Sequence, residues 1–271
     1  MATTLRASAP TNPAADPLGL LAELAGTWIG NGFNLIALPN KAGNSIFRLK
    51  INATKESLVF TPVGAPIPNR GSLQGDIEMG CLTYFQRVND ASSNELLHLE
   101  PGLWLNVPST TAPAEPPTVV RQATIPHGDS MLVVGNALSH AGPPQIQPVS
   151  TTPTGPTPFP LGYLDPYQTA PVPPGFQVSN PNASLVDAIK EQNIVSTTTL
   201  SLSSTQQGGV VNIPFIVSNA NANRVDTIFW IETVEQPDGK RFMQLQYTQT
   251  VILHFAGIDW PHVSVGTLLK Q

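Results

Sequence analysis

From residue 26 onward, apolar and polar residues alternate with a period of two, in short runs bounded by Gly, Pro, Asn, Asp or Ser. A strand with one dry and one wet face produces that pattern, because successive side chains point to opposite sides of a sheet. The runs are GTWIGNGFNLIALP from Gly26, FRLKINA (47–53), ESLVFTPV (56–63), GCLTYFQRV (80–88), NELLHLEPGLWLNV (94–107), PTVVRQATI (117–125) and SMLVVGNAL (130–138). They resume with NIVSTTTLSLSS (193–204), VVNIPFIVS (210–218), DTIFWIETVEQ (226–236), KRFMQLQYTQTVILHF (240–255) and the closing HVSVGTLL. His127-Gly128-Asp129 and Gln236-Pro237-Asp238-Gly239 carry the turn chemistry of tight hairpins. Roughly a dozen strands joined by short turns predict an all-β, antiparallel barrel or sandwich.

Three stretches break the rhythm. LGLLAELAG (18–26) predicts about two turns of helix. Ser184 caps a second predicted helix, with Asp187 three residues on and Leu185, Val186 and Ile189 as its apolar side. Between the two blocks of strands, residues 141–181 hold so many prolines that neither a helix nor an inner strand fits there. Phe159, Tyr163, Tyr167 and Phe176 in this segment predict a long loop that packs down, since linkers are generally poor in aromatics. A long ordered loop is often a functional element such as a lid.

Hydrophobic residues make up 41% of the 271 positions and charged residues only 11%, so the expected surface is built from neutral polar groups. No run reaches the roughly 18 to 20 consecutive apolar residues of a membrane-crossing helix. A net charge of −5 with no cluster of basic residues argues against nucleic acid as a partner. Cys81 is alone, which excludes an intrachain disulfide and a thiolate zinc site. The first 17 residues lack the apolar core of a secretory signal and are expected to form a flexible leader, with residues 18–271 as one domain. A cytoplasmic location is the expectation.

The chain has no phosphate-binding loop, dinucleotide glycine fingerprint, GxSxG elbow or HExxH pattern. Its histidines carry the remaining chemistry. His98 and Glu100 in HLEPG share one face of a strand, suited to a metal, a proton relay or a salt-linked pair at a barrel rim. His127 and His140 fall in turn or loop segments, and His254 alternates with Thr250 and Ile252. His262 follows Pro261 and shares a face with Ser264 and Gly266, leaving small residues around an imidazole, as suits a bulky planar ligand. A strand histidine by itself is more often hydrogen-bonded than a ligand.

Three segments together resemble a known group. Leu24-Ala25-Gly26-Thr27-Trp28-Ile29-Gly30-Asn31-Gly32 is similar to the opening of the calycins, where a short helix leads into a Gly-x-Trp strand that plugs one barrel end. LTYFQRVNDASSNELLHLEPGLW (82–104) and PHVSVGTL (261–268) resemble the nitrobindins, haem-binding members of that superfamily. The resemblance covers about the first 125 and the last 40 residues. It implies an up-and-down calycin-like β-barrel with a short N-terminal helix, one inserted helix and a long Pro-rich loop. It further implies haem b as cofactor, His262 as the iron ligand, and His98, Trp28 and Thr27 as cofactor-binding residues. The expected function is a ferric haem open to nitric oxide or peroxide-type ligands, with peroxynitrite isomerase or peroxidase-like turnover if the protein is an enzyme. A haem-free calycin carrying a hydrophobic small molecule is the alternative, and an enzyme using His98 and Glu100 as acid and base is a third. Nitrobindins are far shorter, so the segment around 141–225 is expected to cover the open edge of the barrel, fill it or build a separate pocket.

Overall fold

The computed structural model describes residues 16–43, 45–205 and 207–271, so the predicted leader falls, but for two residues, outside the described residues. The strands in chain order are β1 (Gly26–Pro39), β2 (Phe47–Pro62), β3 (Ile67–Asn69), β4 (Ile77–Asp90), β5 (Leu96–Val107), β6 (Thr110–Thr111), β7 (Ala114–Glu115), β8 (Thr118–Ile125), β9 (Asp129–Ala141), β10 (Asn193–Ser203), β11 (Gly209–Asn212), β12 (Asn221–Glu235), β13 (Arg241–Phe255) and β14 (Ile258–Lys270). Helices are short: α1 (Asp165–Thr169), α2 (Ala183–Ile189) and α3 (Pro214–Asn219). Ten of the strands pair antiparallel in chain order, β1-β2-β4-β5-β8-β9-β10-β12-β13-β14, and β14 pairs back onto β1. The result is a closed, up-and-down, calycin-like barrel, which leaves no free edges among its ten staves.

Alternation sets which residues face inward. Leu58 and Phe60 of β2, Leu82 and Tyr84 of β4, Phe229 and Ile231 of β12, and Leu245 and Tyr247 of β13 meet in one interior cluster. Leu21 and Leu24 close that end of the barrel, and they sit on a 3-10 turn, Gly19–Leu24, in place of the predicted two-turn helix. Two further expectations change. FRLKINA and ESLVFTPV are halves of one strand, because Ala53 to Glu56 keep their pairing with β1 through the polar stretch. VVNIPFIVS divides into β11 and α3, since Pro214, lacking an amide hydrogen, starts a helical turn and cannot continue a ladder.

The Pro-rich connection between β9 and β10 lies against the outer wall. Leu185 of α2, Ile146 and Val149 pack on Trp230 and Ile228 of β12 and on Val263 and Val265 of β14. Gln246 and Thr248 of β13 hydrogen-bond to the Leu185 carbonyl and to Asn182 at 3.0 and 2.6 Å. Phe159, Tyr163 and Tyr167 join Phe47, Phe255 and Trp260 where the β1–β2 and β13–β14 hairpins project beyond the barrel, and Phe176 packs on Phe33. The aromatics predicted to pin the segment down do so. The cap expected at Ser184 is absent: its hydroxyl donates to the Pro181 carbonyl at 2.8 Å, and Asn182 occupies the N-cap position.

Candidate functional site

The two halves of the barrel interior differ. At the end plugged by the 3-10 turn, Trp28, Trp104, Val133, Leu200 and Leu268 are fully buried. Toward the other end, the inward positions Asn34, Ile36, Lys50, His98, Val251 and His262 keep part of their surface accessible. That half, the cup, is the less tightly filled of the two.

A buried polar layer forms around the middle of the barrel. Arg121 of β8 binds Glu100 of β5, donates to the Tyr84 hydroxyl at 2.9 Å and to Gln249 at 2.8 Å, and lies over the rings of Tyr84, Trp104 and Phe229. Tyr84 in turn donates to Glu100. Burial alone would raise the Glu100 pKa, but the Arg121 guanidinium and His98 reverse this and hold it at about 2. Beside this pair, Tyr247 and Thr54 donate to Glu56, both at 2.6 Å. Burial outweighs those bonds and raises the Glu56 pKa. Gly266 makes room for this arrangement: a Cβ there would lie 2.5 Å from Cε1 of Tyr247.

The histidines stand beyond this layer. His98 presents Nε2 to Glu100 Oε2 at 3.0 Å, and the carboxylate oxygen accepts that hydrogen bond. The rings of His98 and His127 lie 5.8 Å apart, which brings the β8–β9 turn to the cup. His262 donates from Nε2 to Asn34 Oδ1 at 2.7 Å, and the Ser264 hydroxyl donates to the same oxygen at 3.0 Å. That oxygen fixes the tautomer and leaves the other ring nitrogen with its lone pair. Burial, followed by charge on His98 and His127, lowers the His262 pKa to about 3, so the imidazole is neutral. Being partly accessible yet surrounded by protein, it faces the interior space.

The other expected site residues lie elsewhere. Trp28 donates from its ring to the Leu24 carbonyl at 2.7 Å and stacks under Lys270 at the plugged end. It pairs with Lys270, eight residues along β14 from His262, or roughly 26 Å at strand rise. Thr27 adjoins it on the opposite face of β1 and accepts from the Gln271 amide at 2.9 Å. The structure therefore does not bring Trp28 and Thr27 to the histidines, and their positions are those of a structural plug. His254 is exposed and bonds Asp259 at 2.7 Å, and His140 is exposed on β9 rather than in a loop. Phe85 and Leu97 point outward, as their neighbours Tyr84 and His98 point inward, whereas Leu245 lies in the interior cluster. A surface groove of about 600 Å3 beside Gln122, Leu132 and Val211 lies on the outer face, away from this chemistry.

Sequence pattern by itself does not mark Asn34, Glu56, Arg121 and Tyr247 as site residues, and Tyr84 stands out only within the LTYFQRV segment of the resemblance. The available signal was phase: Arg121 sits between Val119 and Ala123, and Glu56 precedes Leu58 and Phe60, on the inward side of their strands.

Fold and interior together define the class: a closed ten-stranded calycin-like barrel with a plugged end and a less tightly filled, histidine-bearing half. No protein-family model and no curated protein matches the chain. Among solved structures it is similar to the crystal structure of Rv2717c from M. tuberculosis, with a TM-score of 0.50 and 18% identity over 95% of this chain and 98% of that one. At that identity the similarity speaks to the barrel fold.

Proposed function

We propose that the histidine-bearing half of the barrel binds haem b, with His262 as the axial ligand to ferric iron. The observation that carries this reading is the state of His262: neutral, held in one tautomer by Asn34 and Ser264, with one nitrogen lone pair left uncommitted. A metal requires this of an imidazole, since a protonated ring has no lone pair to give. Among the described residues no three of His, Cys, Asp and Glu converge to hold a bare ion. An iron here would bring most of its ligands with it, as haem iron does.

The wall suits an apolar macrocycle, with Ile36, Leu38 and Val251 at inward, partly accessible positions. Bound haem would supply an open coordination position for nitric oxide or a peroxide-type ligand. Arg121 keeps Glu100 ionised, Glu100 accepts from His98 Nε2, and the other His98 ring nitrogen is left as a hydrogen-bond partner for a small ligand.

The test is a haemin titration followed by absorbance. The wild-type chain is expected to develop a Soret band of a histidine-ligated haem, and His262→Ala to lose it. An unchanged spectrum in that variant sinks the assignment, and a wild-type protein that stays colourless leaves a haem-free carrier. Turnover of peroxide or peroxynitrite by the loaded protein distinguishes an enzyme from a sensor.

A further inference from the structure

We infer that the ligand of this cup carries an anionic group, received at the mouth by Arg48 and Lys50. The inference rests on reading the histidine-bearing half as the binding site, and adds a charge requirement that haem is only one way to meet.

The placement follows from β2. Its even-numbered residues face the interior: Leu58 and Phe60 lie in the inner core, and Thr54 and Glu56 join the Tyr247 network. Asn52 continues the series by donating to Asp90 at 2.6 Å, and Lys50 and Arg48 come next on the same face. The odd-numbered side faces out, where Phe47 packs on Tyr163 and Tyr167. In register, Lys50 stands opposite Ile36 and Arg48 opposite Leu38, and Asn34, the partner of His262, is two residues further along the same face of β1. The last β1–β14 pair is Leu35 with Val263, so Lys50 and Arg48 lie just beyond it, where the β1–β2 hairpin leaves the barrel wall.

The charge balance points the same way. Arg70, Arg121, Arg224, Lys240 and Arg241 each pair with a carboxylate; Arg48 and Lys50, like Lys41, Lys55, Arg87, Lys190 and Lys270, have no acidic partner within ion-pair distance among the described residues, and they are the two that stand two residues apart on one face of β2. The acids of the adjoining wall are already engaged: Glu100 by Arg121, and Asp90 by Asn52, Ser92 and Ser93. Asp129 stands four staves away round the barrel. In a chain of net charge −5, two cations two residues apart, Lys50 partly buried and Arg48 exposed, stand at this end without a carboxylate partner. An apolar body inserted toward His262 with a carboxylate, sulfonate or phosphate trailing at the rim satisfies both.

Two probes that differ by a single sulfonate test this on the full chain: anionic 8-anilinonaphthalene-1-sulfonate and neutral N-phenyl-1-naphthylamine, each read by fluorescence. The wild type is expected to bind the anionic probe about tenfold more tightly than the neutral one, a preference that fades in salt. Arg48→Glu/Lys50→Glu is expected to lose that preference while binding the neutral probe within about twofold of wild type, and Arg48→Lys/Lys50→Arg to keep it. Equal loss of both probes, an unaltered preference, or no binding of either probe by the wild type overturns the inference. Haemin competition separates the two readings. A charge preference in a protein that gives no Soret band upholds the anion site and rejects haem, while a Soret band with no charge preference does the reverse.

Discussion

Glu232→Gln probes how the Pro-rich segment is held to the wall. Glu232 of β12 is fully buried on the outer face, its Oε2 accepting from Gln244 at 2.7 Å and its Oε1 unpartnered among the described residues. Gln244 exchanges hydrogen bonds of 3.1 and 3.2 Å with Gln192, the residue that returns the Pro-rich segment to the barrel. Burial raises the carboxyl pKa from 4.5 to about 7, against a small opposing effect of the Gln244 bond. A group whose folded-state pKa is raised contributes stability that is intact below its unfolded value and lost as pH climbs to the folded one. Each tenfold step is worth ~1.4 kcal/mol, so the wild type should lose about 3 kcal/mol between pH 4.5 and 7 through this one side chain. The amide of Glu232→Gln has the same shape and no proton to lose. Urea unfolding at pH 5 and pH 8 should show the wild type falling relative to the variant by that amount, with the difference level above pH 7. Parallel pH profiles would refute the claim that Glu232 is held neutral.

Three other perturbations separate site from scaffold. Asn34→Ala removes the acceptor that orients His262 and is expected to weaken haemin binding by about 10- to 100-fold, read by Soret titration, with little change in thermal midpoint. Arg121→Met strands an ionised Glu100 in the barrel and should destabilise the fold by about 3–5 kcal/mol in urea, whereas Arg121→Met/Glu100→Gln recovers much of that loss. Trp28→Ala empties the plug and should cost about 3–5 kcal/mol, yet leave haemin affinity of the folded protein unchanged. Weakened binding in this last variant would show that the two ends of the barrel are coupled.

Period-two alternation was legible without any coordinates, because a strand between a dry core and a wet surface must alternate, and a one-residue slip would expose its whole apolar face. The hairpin at Gln236–Gly239 was equally legible, since Gly239 adopts a φ of 81° that few other residues tolerate. The aromatics of the Pro-rich segment announced packing, though not on which side of the wall. Histidine identities were readable too, and HLEPG carried the His98–Glu100 pairing in its spacing.

Tertiary structure alone decided what those residues meet. Asn34 lies 228 positions from His262, and Arg121 lies 106 from Thr227 and 128 from Gln249, so their contacts depend on how ten staves close into a ring. Closure also separated Trp28 from His262, because residues that share one face of one sheet can still sit at opposite ends of it. Local pattern is set by the chemistry of neighbours a few residues apart. The site is set by shear and register around the barrel, which no single stretch of chain contains.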